Sequence, residues 1–123
     1  MYDKSLVYEI LEQILEASKV VKERCNFAKS RDDFIDTTKG QEKLDSICMK
    51  LIAIGEALKQ IDKITNKELL LKYPNVNWKQ IKGIRDILSH HYFDLDASII
   101  FEICTDHIEE LLTTLNQIKN DLK

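Results

Sequence analysis

Glycine and proline are scarce, at three and one in 123 residues. Tight hairpin turns usually draw on those residues. The shortage argues against a sandwich of short strands and leaves no glycine-rich loop to cradle a phosphate. Cysteine is equally sparse. Cys25, Cys48 and Cys104 are odd in number, far apart and without a CxxC pair. They read as reduced, mostly buried thiols of a cytoplasmic protein, and they lack the paired spacing of a zinc site. No apolar run reaches the roughly 18 residues of a membrane span. The opening residues lack the basic start and compact apolar stretch of a secretory leader. Positive charge is in deficit as well, with 18 Lys and Arg against 21 Asp and Glu and a net charge of −3. This is no basic protein that coats nucleic acid by bulk electrostatics; any nucleic acid must meet a local patch.

What is present is helical periodicity. The length fits one domain, here residues 1–123, with one buried core. Over residues 3–28, Val7, Ile10, Ile14, Ser18, Val21 and Cys25 recur at steps of three or four, an amphipathic helix that Asp3 can cap. Ser30 and Asp33 have capping-box spacing and suggest a short turn pinned by Phe34 and Ile35. Thr38 with Gln41 forms a second box. It opens a long helix whose apolar face runs from Leu44 through Ile54 to Ile61. Thr65 with Glu68 predicts a short helix that Pro74 stops near Tyr73. Asn77 with Gln80 caps a helix of about three turns beginning at Trp78. Asp96 can cap the last helix, whose face reads Ile100, Ile103, His107, Leu111, Leu115 and Ile118. The sum is an all-α chain with three long helices and shorter pieces between them.

Residues able to do chemistry concentrate in IRDILSHHY, 84–92. Arg85 and His90 are four intervening residues apart, and Tyr92 follows His90 after one more residue. Histidines at a helix C-terminus are favoured by the dipole and need no catalytic reason. Taken together, the types suggest more. Arg forks onto a phosphate, and His moves protons near neutrality. RNA supplies its own nucleophile in the ribose 2′-hydroxyl. One Arg and one His are half a set, so the pattern makes most sense across a two-fold dimer. At a helical 100° per residue, Arg85 and His90 point roughly 140° apart. They converge if the helix ends near Ser89 or if a second subunit closes the site. Lys79 and Lys82 make a small basic patch nearby, with Lys79 read as part of a solvated face.

WKQIKGIRDILSHHYFDLD, 78–96, resembles the signature of the HepT-like HEPN domains of prokaryotes. IGEALK, 54–59, resembles a second block of that family, and the proline before the tryptophan also fits. The resemblance spans essentially the whole chain. It implies an up-down helical bundle of HEPN type and a metal-independent, cofactor-free endoribonuclease active as a homodimer. It further implies a toxin silenced by an MntA-like nucleotidyltransferase antitoxin that transfers AMP to the motif tyrosine. Carried over, Arg85 would hold the scissile phosphate and His90 would be the acid or base. Tyr92 would be the AMP acceptor, and Lys82, from the basic patch beside Arg85, would be a supporting cation. Asp86 stands where the family has a polar residue, often Asn, and would orient the pair. His91 fills a variable position and is given no role. The same helices could instead form a non-enzymatic dimer, a binding or nucleotide-binding partner of a nucleotidyltransferase. Of the remaining residues, Gly55 would permit close helix approach and Glu56 either faces solvent or contacts the motif helix. Trp78 anchors the core, and His107 reads as a satisfied buried histidine.

Overall fold

The computed structural model describes residues 2–90 and 92–123, with the Tyr92 side chain and all of His91 outside the description. The described residues contain no strand. They form α1 (Lys4–Cys25), α2 (Thr38–Ile64), α3 (Trp78–His90), α4 (Ala97–Glu102) and α5 (Ile108–Leu122). Short 3-10 turns occupy Arg31–Phe34, Leu70–Lys72 and Tyr92–Asp94. A π-helical turn, Ile103–His107, joins α4 to α5 without a break, so these pieces make one long C-terminal helix. The all-α bundle with three long helices is as expected.

Local signals set most of the helix starts. Asp3 accepts from the Leu6 N–H at 3.1 Å, Asn77 from the Gln80 N–H at 3.0 Å and Asp96 from the Ser98 N–H at 2.9 Å. Each satisfies an orphan donor of a first turn, a contribution of about 1 kcal/mol. Three boundaries differ from expectation: α1 ends at Cys25, three residues short of the expected 28, and both ends of α2 are shifted. The cap of α2 is Thr37, which accepts from the Gly40 N–H at 2.9 Å, while Gln41 donates to the Ile35 carbonyl at 3.0 Å. Thr65 ends α2 instead of opening the next helix, and its hydroxyl donates back to the Ile61 carbonyl at 2.8 Å. The short helix expected after Thr65 shrinks to the turn at Leu70–Lys72. Tyr73, ahead of Pro74, leaves helical geometry at φ −126° and ψ 65°, as the proline ring requires.

α2 lies between α1 and α3, and α1 also packs along α5. The facing stripes of Ile14, Ile54, Leu58, Ile61, Leu115 and Ile118 are essentially inaccessible to solvent. Each such side chain is worth roughly 1.5–3 kcal/mol of burial. Phe34 is fully buried and stacks edge-on with Phe27 at 5.4 Å, pinning the first 3-10 turn. Ile35 stays 41% exposed and adds little to that pin.

The C-terminal helix departs from its expected face for a definable reason. The Ile108 N–H bonds to the Ile103 carbonyl, five residues back, so one extra residue is accommodated within the turn. The buried stripe therefore runs Ile100, Ile103, Ile108, Leu111, Leu115. Ile108 takes the core place that a regular helix would give His107. His107 is turned to the side, partly exposed, with Nε2 3.4 Å from a Glu102 carboxylate oxygen.

Cys104 lies in the same π turn and is joined to Cys25, at the end of α1, by a disulfide with a Cα–Cα distance of 5.7 Å. This corrects the reading of three reduced thiols. Two positions 79 residues apart in sequence meet because α1 packs on the C-terminal helix. Only Cys48 is a free, buried thiol, its pKa pushed up to about 12 by burial and by Asp45.

Candidate active site

α3 delivers the motif. Trp78 anchors its start, 8% exposed, with the indole N–H donating to the Tyr73 carbonyl at 2.9 Å. Ile81, Ile84 and Leu88 bury one stripe against the core. That packing fixes the rotation of the helix and turns Arg85 toward α2.

Arg85 is held at an unusually close helix crossing. A Cβ added to Gly55 would lie 2.8 Å from the Arg85 Cβ, nearer than two carbons approach in a packed interior. Only glycine at that position lets α3 come so near to α2. The next residue, Glu56, then forms an ion pair with Arg85 Nε. Asp86 accepts from Arg85 Nη1 at 2.9 Å and from Lys59 Nζ at 3.0 Å. The hydrogen bond to Asp86, with Glu56 adding attraction, raises the Arg85 pKa above its ordinary value. Asp86 is correspondingly held below the usual carboxylate range, first by Arg85 and then by Lys59. The guanidinium is thus held by one hydrogen bond, from Nη1 to Asp86, and by the Glu56 carboxylate lying as an ion pair against Nε, which has no hydrogen-bond partner among the described residues. About a third of the side chain remains accessible. Of the two readings of Glu56, contact with the motif helix is the one observed.

Of the other predicted residues, Asp86 alone contacts Arg85 among the described residues. Lys82 forms an ion pair with Asp62 of α2, and both groups are largely shielded from water. Asp86 sits beside Arg85, as an orienting residue would. His90 is the exposed last residue of α3. Because the helix continues through His90, the roughly 140° of rotation between Arg85 and His90 stands, and the turn near Ser89 that would fold them together does not occur. Ile87, 37% exposed, and Phe93, fully exposed, are large apolar side chains within three residues of His90 in the sequence. The Tyr92 backbone opens a 3-10 turn, and its side chain, like His91, lies outside the described residues.

Sequence reasoning missed one part of this region. Lys59 and Lys63 from the end of α2, with Lys67 just beyond it, face Lys79 and Lys82 of α3 across an open groove beside Asp86. Part of the signal was there in the spacing: Lys59 and Lys63 are four apart on α2 and Lys79 and Lys82 three apart on α3, which brings each pair onto one face. Lys67 lies beyond the end of α2, and its place could not be read from helical spacing.

Comparison with known proteins points the same way. The family described as Ribonuclease HepT-like matches residues 10–118. Putative RNase MJ0127 of Methanocaldococcus jannaschii is 28% identical over 98% of this chain and 89% of its own length. Putative RNase MJ1216 of the same organism is 30% identical, again over 98% of this chain and 89% of its own. Putative RNase TTE0752 of Caldanaerobacter subterraneus subsp. tengcongensis is 34% identical over 88% of this chain and 89% of its own length. No solved structure matches the chain.

Proposed function

The chain belongs to the HepT-like ribonuclease family, and from that premise we propose that it is a metal-independent endoribonuclease, active as a homodimer. The observation that carries this reading is the construction around Arg85. A glycine crossing and two carboxylates orient a guanidinium that still reaches solvent, as a phosphate-binding group must. His90 supplies the proton transfers. One imidazole takes the proton of the ribose 2′-hydroxyl as that oxygen attacks the adjacent phosphorus. A second, protonated imidazole gives its proton to the departing 5′-oxygen. Arg85 stabilises the charge that builds on the phosphoryl oxygens. The products are a 2′,3′-cyclic phosphate and a 5′-hydroxyl.

The reaction needs two imidazoles, and Arg85 and His90 diverge on one helix. A two-fold pairing of α3 with its copy answers both points, and the exposed Ile87 and Phe93 supply apolar surface for it. The chain is read as the toxin of a pair whose antitoxin is a nucleotidyltransferase. AMP on Tyr92, two residues beyond His90, would place a phosphate and a purine where the RNA phosphate must enter. Repulsion and bulk then silence the site.

The test is RNA cleavage in EDTA by the wild type, His90→Ala and Arg85→Ala, with sedimentation velocity on each. A folded wild-type dimer should cleave RNA and leave cyclic phosphate ends, and each substitution should cost roughly 10²–10⁴-fold. A folded dimer that leaves RNA intact, or a fully active His90→Ala, overturns the reading. The non-enzymatic dimer then takes its place. Incubation with the nucleotidyltransferase and ATP should add adenylyl mass to Tyr92; modification at Tyr73 instead refutes that part.

A further inference from the structure

We propose that the groove between the end of α2 and the start of α3 is a track for the backbone of single-stranded RNA, extending the site away from Arg85. The inference rests on the ribonuclease reading for the identity of the polyanion. Lys59, Lys63 and Lys67 line one side, and Lys79 and Lys82 the other. Two carboxylates share the groove, and both are engaged: Asp62 pairs with Lys82, and Asp86 is divided between Lys59 and Arg85. Lys63, Lys67 and Lys79 are exposed, and no carboxylate pairs with them among the described residues. On a chain of net charge −3, this is a local excess of cations.

Three features favour a polymer threading the groove over a single bound nucleotide. Lys59 and Lys63 stand about one helical turn, roughly 6 Å, apart on α2, and Lys67 follows beyond its end, so the cations are spread along the groove and do not converge on one point. The groove is continuous with the candidate active site, because Asp86 touches Lys59 on the groove side and Arg85 on the other. Its lining includes Gly83, where a Cβ would meet nothing within 4 Å, which leaves room for a chain.

Lys67 adds a further indication. Its backbone is left-handed, at φ 63°, directly after Asn66 at φ 54°. Its N–H is fixed to the Asp62 carbonyl at 2.7 Å. This is the helix-ending conformation that glycine adopts most easily, yet here it carries a cation at the groove. Attraction to the helix C-terminus accounts for Lys63 alone; it does not account for Lys79 at the start of another helix.

The experiment uses a fluorescent 2′-O-methylated single-stranded oligonucleotide, which cannot be cleaved, and measures binding by anisotropy across a salt series in EDTA. Released counterions set the slope of log affinity against log salt, at about 0.7 per neutralised phosphate on a single strand. The triple variant Lys63→Gln, Lys67→Gln, Lys79→Gln should flatten that slope by about 2. The triple variant Lys4→Gln, Lys19→Gln, Lys39→Gln makes the same change in net charge at exposed lysines elsewhere, and should leave the slope as in the wild type. Circular dichroism confirms that both variants are folded. If the slope is unmoved by the groove variant, if both variants move it equally, or if the wild type does not bind, the proposal fails. An acidic protein partner is then the better occupant. A wild type that binds with the expected slope change but cleaves no RNA upholds the groove and sinks the ribonuclease reading, so the two failures are separable.

Discussion

Gly55→Ala should separate positioning from stability at this site. The added methyl would sit 2.8 Å from the Arg85 Cβ, whereas carbons in contact prefer about 3.5–4.0 Å. One helix must therefore give by close to 1 Å at the point where Arg85 leaves α3. Forcing extra volume into a packed contact costs roughly 1–3 kcal/mol. Alanine in place of glycine within a helix returns about 1 kcal/mol. The net loss of stability is then about 0–2 kcal/mol, small enough to leave the bundle folded. Activity should suffer more, because a misplacement near 1 Å can cost about 10²-fold in rate. The assay pairs urea unfolding with initial rates of RNA cleavage. A rate falling about 100-fold with a modest shift in midpoint fits the reasoning. Wild-type activity and wild-type stability together would show that the close crossing does not position Arg85. The same substitution at Gly83, where a Cβ meets nothing within 4 Å, should have the opposite sign and stabilise the fold by about 0.5–1 kcal/mol.

The Cys25–Cys104 bridge closes a loop of 79 residues, and the chain-entropy treatment puts its contribution near 4.5 kcal/mol at most. Cys104→Ser, or reductant on the wild type, should lower the urea midpoint, and reductant should then have no further effect on the variant. Three reactive thiols in the denatured, unreduced protein, in place of Cys48 alone, would refute the bridge. Acid provides another check. The Asp86 pKa is lowered in the fold by Arg85 and Lys59. Its stabilisation is complete above the ordinary carboxylate range and is lost as pH falls through the lowered folded value. Asp86→Asn should flatten that part of the stability curve in thermal melts taken downward from pH about 5, and an unchanged acid limb would remove Asp86 from the pairing.

Legibility in the sequence tracked the range of the interactions. Asp3, Asn77 and Asp96 cap helices through bonds spanning two or three residues, so the spacing alone revealed them. Thr37 and Thr38 are adjacent and chemically equal, and choosing between them required the docking of the preceding turn. The π turn was out of reach for a different reason. A regular helix places His107 on the core face, and only packing against the other helices makes one inserted residue worthwhile, because it buries Ile108 instead. The disulfide needed the same long-range knowledge. At the site, residue types drew attention to Arg85 and His90, and Gly55 read as a point of close helix approach, while Glu56 stayed open between solvent and the motif helix. Lys59, Lys63 and Lys67 were overlooked because each alone reads as a solvated side chain. Their meaning comes from the stripe on α3 that faces them.

The charge arrangement also resolves the apparent handicap of Asp86. A carboxylate beside a phosphate site should weaken it by repulsion, and Glu56 should compound the loss. Neither acts as an isolated anion. Glu56 pairs with Arg85, Asp86 is shared between Arg85 and Lys59, and Asp62 is taken by Lys82. Three cations and three carboxylates thus pair across α2 and α3 without net charge, and these pairs hold the Arg85 guanidinium and tie the two helices together. The cations left over are Lys63, Lys67 and Lys79, all on the groove side of these pairs. Orientation and attraction are thereby divided between different residues. Replacing Asp86 by Asn should therefore loosen Arg85 more than it strengthens phosphate binding. The observable is a lower cleavage rate at saturating RNA with little gain in affinity. A variant that binds RNA much more tightly and cleaves faster would mean that Asp86 acts chiefly as a repulsive charge.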